Sequence, residues 1–253
     1  MSLTLKKPFF HFSIDDVFDA LIEVSDEDIE LWEHPFWRLV KEIHEETGAQ
    51  IAMYLFFQKN INGKIRTLQE VTEKYKPLFE SLDWIQFGPH ALDNDHAPYA
   101  QTPLEQQKVF ADTYKEIDRF AGPRSHAKWV RLHFFSESYE LSDYWKIQGV
   151  EALFATDKPA FSHRMPDDVK DRLREEGHAE YEGIHFIRTH FRMENFVNEK
   201  LSMSDIEKKL TDCLKQYGFV TILTHEYELE RPEVRDMIKK VLRYLAEQKI
   251  LSV

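Results

Sequence analysis

The stretch Pro8-Phe9-Phe10-His11-Phe12-Ser13-Ile14-Asp15-Asp16 decides how the rest of this chain reads. Its short apolar run, rich in aromatics, has the composition of a buried strand, and it stops on two adjacent carboxylates. Like charges side by side at a strand's exit cost free energy unless a cation or a proton separates their roles. In barrels and open α/β sheets, the carboxyl ends of strands are where ligands bind and chemistry is done. The competing use of the pair is as an N-cap, accepting backbone N–H bonds from the segment that follows.

Outward from this stretch, apolar runs recur between segments of helical period. The strand candidates are Phe9–Ile14, Ile51–Phe57, Trp84–Phe87, Trp129–Phe135, Glu151–Ala155, Ile184–Thr189 and Phe219–Thr224. Helices are expected over Glu30–Glu46, Leu68–Ser81, Pro103–Phe120, Pro166–Glu176, Ser202–Tyr217 and Pro232–Gln248. Three of these begin at or beside a proline, and Gly48 supplies a stop signal for the first. Ser204-Asp205-Ile206-Glu207 has capping-box spacing, and Gly177–Gly183 reads as a turn or small hairpin. Strand–helix alternation argues for a parallel sheet with right-handed crossovers. With this many units the expectation is a closed or nearly closed (β/α) barrel, α/β in class, with residues 1–253 as one domain.

Composition narrows the function. The net charge of −12, with no basic stripe to offset it, disfavours nucleic acid or an anionic membrane as partner. No apolar run is long enough to span a bilayer, and Lys6 and Lys7 are not followed by a secretory leader, so the expected location is the cytoplasm. The single cysteine, Cys213, lies in a helical pattern and reads as core. No G-x-G-x-x-G or P-loop is present, which removes the common nucleotide-dependent classes.

The groups able to do chemistry sit at strand exits. Phe87-Gly88-Pro89-His90-Ala91-Leu92-Asp93-Asn94-Asp95-His96 runs a strand into a loop with two histidines and two aspartates, an open donor set for a divalent metal. His90 reads as a ligand. His96 reads either as a second ligand or as part of a solvated turn. Phe219-Val220-Thr221-Ile222-Leu223-Thr224-His225 ends on a histidine able to protonate a leaving group. In Trp129-Val130-Arg131-Leu132-His133-Phe134-Phe135, Arg131 and His133 share a face, and a buried arginine needs a carboxylate such as Asp15.

This ordered set resembles the NodB-type polysaccharide deacetylases, a carbohydrate esterase family with a distorted (β/α)7 barrel. Ser13-Ile14-Asp15-Asp16 stands where that family has Thr-Phe-Asp-Asp, and Leu223-Thr224-His225 matches its final Leu-x-His. The resemblance implies Asp15 as catalytic base, Asp16 and His90 as metal ligands, Arg131 beside the base and His225 as general acid. The family's second histidine falls four residues after the first. Here position 94 is Asn, so His96 becomes the third ligand, with Asn94 or Asp95 as alternatives. His133 replaces the proline of the family's Arg-x-Pro, and Asp143-Tyr144-Trp145 and Asp157 are candidates for its fourth motif. The implied activity is metal-dependent removal of acetyl groups from an N- or O-acetylated saccharide, in a branch serving surface-polysaccharide biosynthesis. The implied metal is zinc, with cobalt or nickel possible. The altered motifs leave two other readings open: a silent carbohydrate-binding barrel, and a metal-dependent amidase on a non-sugar substrate.

Overall fold

The computed structural model describes residues 7–158 and 164–253; residues 1–6, on which the leader reading rests, lie outside the described residues. The chain begins with β1 (Phe9–Val17), α1 (Asp19–Glu27), α2 (Pro35–Thr47), β2 (Ile51–Phe56) and the hairpin strands β3 (Gln58–Ile61) and β4 (Lys64–Thr67). There follow α3 (Lys76–Ser81), β5 (Ile85–Ala91), α4 (Pro103–Phe120), β6 (Trp129–Val130), α5 (Ser142–Ile147) and β7 (Ala152–Ala155). The last part holds α6 (Asp167–Glu176), β8 (His178–Tyr181), β9 (Ile184–Arg188), β10 (Phe191–Arg192) and α7 (Met193–Asn198). It closes with α8 (Met203–Tyr217), β11 (Phe219–His225), α9 (Pro232–Glu247) and β12 (Leu251–Ser252).

β1 is the central strand. It lies parallel between β2 and β11 and is buried along both faces, which is why it reads as a continuous apolar run. The first sheet has the order β10-β11-β1-β2-β5, with β12 also on β1, and the second the order β6-β7-β9-β8. Only the β8–β9 pair among these is antiparallel, the small hairpin expected at Gly177–Gly183. The sheets meet at both edges. A parallel bridge joins Phe87 to His126, and Ala127 donates its N–H to the Phe87 carbonyl at 2.8 Å. At the other edge Thr221 Oγ1 donates to the Arg188 carbonyl (2.7 Å) and accepts from the His190 N–H (2.9 Å), while His190 Nδ1 accepts from the Thr221 N–H (3.1 Å). The fold is thus mixed α/β with a parallel sheet. Apart from the β3–β4 hairpin, the backbone ladders of the described residues run in two sheets and do not by themselves close a barrel.

All the expected strands are present, and the departures have local causes. β1 continues through the aspartate pair to Val17, so the carboxylates sit within the strand and not beyond it. β6 is two residues long. The chain leaves the ladder at Arg131 and tightens into a turn over His133–Phe135, where Phe134 and Phe135 both take left-handed φ of 52° and 54°. The β3–β4 hairpin turns on Asn62-Gly63, at φ 54° and 82°, the dipeptide that suits such a turn. Leu68–Ser81 divides into a single 3-10 turn and the short α3. The capping box of α8 is Ser202 with Asp205, not Ser204 with Glu207, because the helix starts two residues earlier. Cys213 is buried on α8, as read.

Two buried histidines make stability depend on pH. Burial and the Arg131 charge push His11 down to about 3; burial and the Arg188 charge do the same to His190. Both stay neutral in the fold and take a proton near 6.5 once unfolded. Below about pH 6.5 the unfolded chain therefore binds more protons, and stability falls steadily as pH drops toward about 3, by up to ~1.4 kcal/mol per pH unit per site. Urea denaturation between neutral pH and the low fives should show this slope. His190→Asn, which keeps an acceptor for Thr221, should flatten it; an unchanged slope would refute the assignment.

Candidate metal centre

The parallel strands bring Asp15, Asp16, His90, Arg131 and His225 to one end of the fold, the carboxyl ends of β1, β5, β6 and β11. Alternation along β1 puts His11, Ser13 and Asp15 on one face and Phe10, Phe12 and Ile14 on the other. Asp15 is buried, and its Oδ1 accepts from Arg131 Nη1 at 3.0 Å and from Ser13 Oγ at 3.3 Å. Arg131 Nη1 also contacts Ser13 Oγ, and its guanidinium lies 4.4 Å from the centre of the Phe154 ring.

Asp16 follows directly and would face away from Asp15 on a regular strand. A register shift between Ile14 and Val17, together with φ of +60° at Asp16, re-aims it. Its Oδ1 comes to 3.1 Å from His90 Nε2 and 3.6 Å from His133 Nδ1, and the two imidazole nitrogens are 3.2 Å apart. His90 Nδ1–H donates to the Arg131 carbonyl at 2.7 Å, and His133 Nε2–H to the Asn94 carbonyl at 3.3 Å. Carbonyls only accept, so each neutral ring keeps its proton there and turns a bare lone pair toward Asp16. Asp16 Oδ1 is itself buried without a hydrogen-bond donor among the described residues.

Three acceptors at 3.1–3.6 Å with no hydrogen between them call for a cation. Tetrahedral coordination at ligand distances of 2.0–2.2 Å gives edges of about 3.4 Å, so the set fits an ion such as zinc. A proton shared by Asp16 and His90 is the competing cation, and the electrostatics show its pull. Burial works against the Asp16 charge, but His90 and the other imidazoles hold the carboxyl down at about 2. Burial, then the His90 charge, pushes His133 down to about 4, whereas the aspartates outweigh burial at His90 and raise it.

His96 is not in this cluster. Its exposed ring is held by Asp93 Oδ1 at 2.6 Å, because the loop after β5 turns back on that aspartate. Asn94 contributes its carbonyl to His133, and Asp95 is exposed on the loop. His133 takes the third place. Asp157 is engaged by Arg188 at 3.0 Å, and Trp84 and Trp145 are buried in the core.

Two carboxylates complete the site. Glu194, in the first turn of α7, is 1 % exposed and accepts from His225 Nδ1 at 2.6 Å; it also contacts Arg192. Burial opposes its charge, yet His225 and Arg192 keep it below the usual range. His225 is the register partner of Asp15. Glu226, next along, accepts the N–H groups of Phe18, Asp19 and Ala20 at 2.8–2.9 Å and so ties the end of β11 to the start of α1. Asp16 opens on a cleft of about 430 Å³ walled by the β3–β4 hairpin, the Asp93–His96 loop and Tyr227.

No protein-family model matches the chain, and no curated protein matches it by sequence. Among solved structures, the 4-alpha-glucanotransferase of Thermococcus litoralis matches with a TM-score of 0.52 at 13% identity, over 98% of this chain and 39% of that one. At that identity the likeness is one of fold, and this chain spans well under half of the glucanotransferase. A T48 deacetylase solved with substrate matches with a TM-score of 0.48 at 14% identity, over 98% of this chain and 88% of that chain. The polysaccharide deacetylase Bc1974 from Bacillus cereus gives 0.46 at 10% identity, over 98% and 92%.

If the cluster holds a divalent ion, removing one donor should show in binding itself. His133→Ala should weaken Co²⁺ affinity by about 100-fold or more and change its visible absorption spectrum, since an imidazole donor is lost. His96→Ala should match the parent. Titration with Co²⁺ followed by absorption checks both, and the opposite ranking would return the third place to His96.

Proposed function

We propose that the protein is a metal-dependent hydrolase that removes acetyl groups from an N- or O-acetylated saccharide. The observation that carries this is the separation of roles at adjacent residues. Asp16 turns into the lone-pair cluster, while Asp15 turns away from it and is held by Arg131. A divalent ion bound by Asp16, His90 and His133 would supply Lewis acidity, polarising the acyl carbonyl and acidifying water. The rest falls to the chain's own groups.

Arg131 and Ser13 both occupy Asp15 Oδ1 and leave Oδ2 to take a proton from the attacking water. The water oxygen bonds to the acyl carbon, and the bond from that carbon to the sugar nitrogen or oxygen breaks. His225, on the neighbouring strand, protonates the departing atom. Glu194 accepts the Nδ1–H of His225, which orients the ring so that Nε2 carries the proton to be transferred. The products are acetate and a free amine or hydroxyl, and the proton on Asp15 returns to solvent as His225 is recharged.

The saccharide comes from the sequence resemblance at Asp15-Asp16, His90 and Leu223-Thr224-His225, which also implies zinc and surface-polysaccharide biosynthesis. The proposal takes the two sheets as one distorted (β/α)7 barrel forming a single domain, acting in the cytoplasm. Among the described residues no helix is long and apolar enough to cross a membrane.

Acetate release from acetylated chito- and xylo-oligosaccharides tests the reading. Asp15→Asn and His225→Ala should each lower turnover by roughly 10²–10⁴ at unchanged metal content. Glu194→Gln should cost less than His225→Ala, since it acts through the histidine. Parent-like turnover in Asp15→Asn would remove the base. A parent that releases no acetate from any of these sugars while retaining the metal would favour the binding-only or non-sugar readings.

A further inference from the structure

The cleft beside Asp16 carries an imbalance of charge that bears on what enters it. Its lining includes Asp16, Asp19, Asp93, Asp95 and Glu226; among the described residues Lys59 is its only lysine or arginine, with Arg192 beyond the rim donating to the Tyr227 hydroxyl at 3.0 Å. Several of these charges are already committed. Lys59 is bonded to Asp19, Glu226 to three backbone N–H groups, and Asp16 belongs to the lone-pair cluster. Asp93 accepts from Gln58 Nε2 at 2.8 Å and holds the ring of His96, the other basic group on this wall. Among the described residues the Asp95 carboxylate has one long contact, 3.5 Å from Asn94 Nδ2, and is exposed. The wall after β5 is therefore acidic, with no arginine or lysine to receive an anion.

Beside Gln58, Lys59 and Asn60, the other edges of the cleft carry apolar side chains. Tyr227 and Ile65, from the β11 exit and the β3–β4 hairpin, are each 51% exposed although hydrophobic. Phe56 forms part of the same lining. Such surfaces suit the C–H faces of a pyranose ring and contribute without regard to charge. At about 430 Å³ the cleft is near the small end of ligand pockets, with room for roughly one or two rings.

Resting on the deacetylase reading, we propose that the site selects by charge: it takes a short saccharide segment that is neutral or bears free amino groups next to the reacting acetyl group, and it excludes segments bearing carboxylate or phosphate. Each deacetylation of a neighbouring unit would make the segment a better fit, since an ammonium group can replace water at Asp95. A uronate or phosphate beside Asp95 would meet like charge, with Lys59 and His96 already paired to Asp19 and Asp93, a repulsion that salt screens at this exposure.

The test uses the metal-loaded Asp15→Asn protein, so that binding is read without turnover, with three probes: a glucosamine tetramer, an N-acetylglucosamine tetramer and a galacturonate tetramer. Affinities from intrinsic fluorescence should rank in that order, with roughly tenfold between first and last at low ionic strength, narrowing at about 0.5 M salt. Asp95→Lys in the same background should narrow or invert the ranking while metal content stays constant. Galacturonate binding as tightly as glucosamine, or a ranking indifferent to both salt and Asp95→Lys, would overturn the proposal. Parent protein assayed in parallel for acetate release separates the two ideas. The ranking without acetate release retains charge selection and removes the deacetylase; acetate release without the ranking does the reverse. Failure of all three sugars to bind removes charge selection, and acetate release alone then decides the deacetylase.

Discussion

The contact on which the rest of the site depends is the one between Arg131 and Asp15. Both side chains are almost fully buried, at 1% and 4% exposure, so neither charge has water to fall back on. Removing one partner of such a pair typically costs about 3–5 kcal/mol, because the other is stranded. Arg131 also does two jobs with different parts of itself. Its guanidinium fixes Asp15, and its backbone carbonyl fixes the tautomer of His90. The oxygen expected to take a proton and the nitrogen expected to face a cation are thus set by one residue, and neither can shift without the other.

Holding two neighbouring aspartates in different surroundings requires strained backbone. A left-handed φ at a residue other than glycine costs about 1–3 kcal/mol, and here Asp16, Phe134 and Phe135 all adopt one, on the two segments that carry Asp16 and His133. Such conformations persist only when their surroundings over-determine them. Glu226 meets this need for β1, gripping the three N–H groups just beyond the aspartates. It is expensive to bury, and burial pushes it up to about 7 despite its hydrogen bonds.

Much of this arrangement could be read from residues in order, for a simple reason. Parallel strands of one sheet all end on the same side, so polar groups at the exits of Phe9–Ile14, Trp84–Phe87 and Phe219–Thr224 had to converge. What could not be read depended on where strands stop. Trp129–Phe135 has strand composition throughout, and on a strand His133 is merely the residue beside Arg131. Only the early exit and the left-handed turn at Phe134 swing it onto His90. His96 had the right chemistry and nearly the family's spacing, but the five loop residues after β5 do not constrain direction, and Asp93 claimed it. Glu194 gave no signal because β10 before it is two residues long, too short for any period. The Asn62-Gly63 pair was a signal, and it marks the hairpin that walls the cleft.

β1 lies between β2, which follows it closely, and β11, which begins some two hundred residues later. Contacts so distant in sequence are the last for which loop-closure entropy can be met. During synthesis Asp15 and Asp16 therefore emerge first and wait, while His90 and Arg131 appear with nothing yet to anchor the far side of the strand. The left-handed turn at Asp16 lacks its Glu226 clamp until β11 is in place. An emerging chain thus holds Asp16, His90 and His133 as separate donors, and the cluster they form is complete only with the fold. Should the cluster hold an ion, the order of the strands would make its acquisition a late event, a built-in check against a half-made chain trapping one.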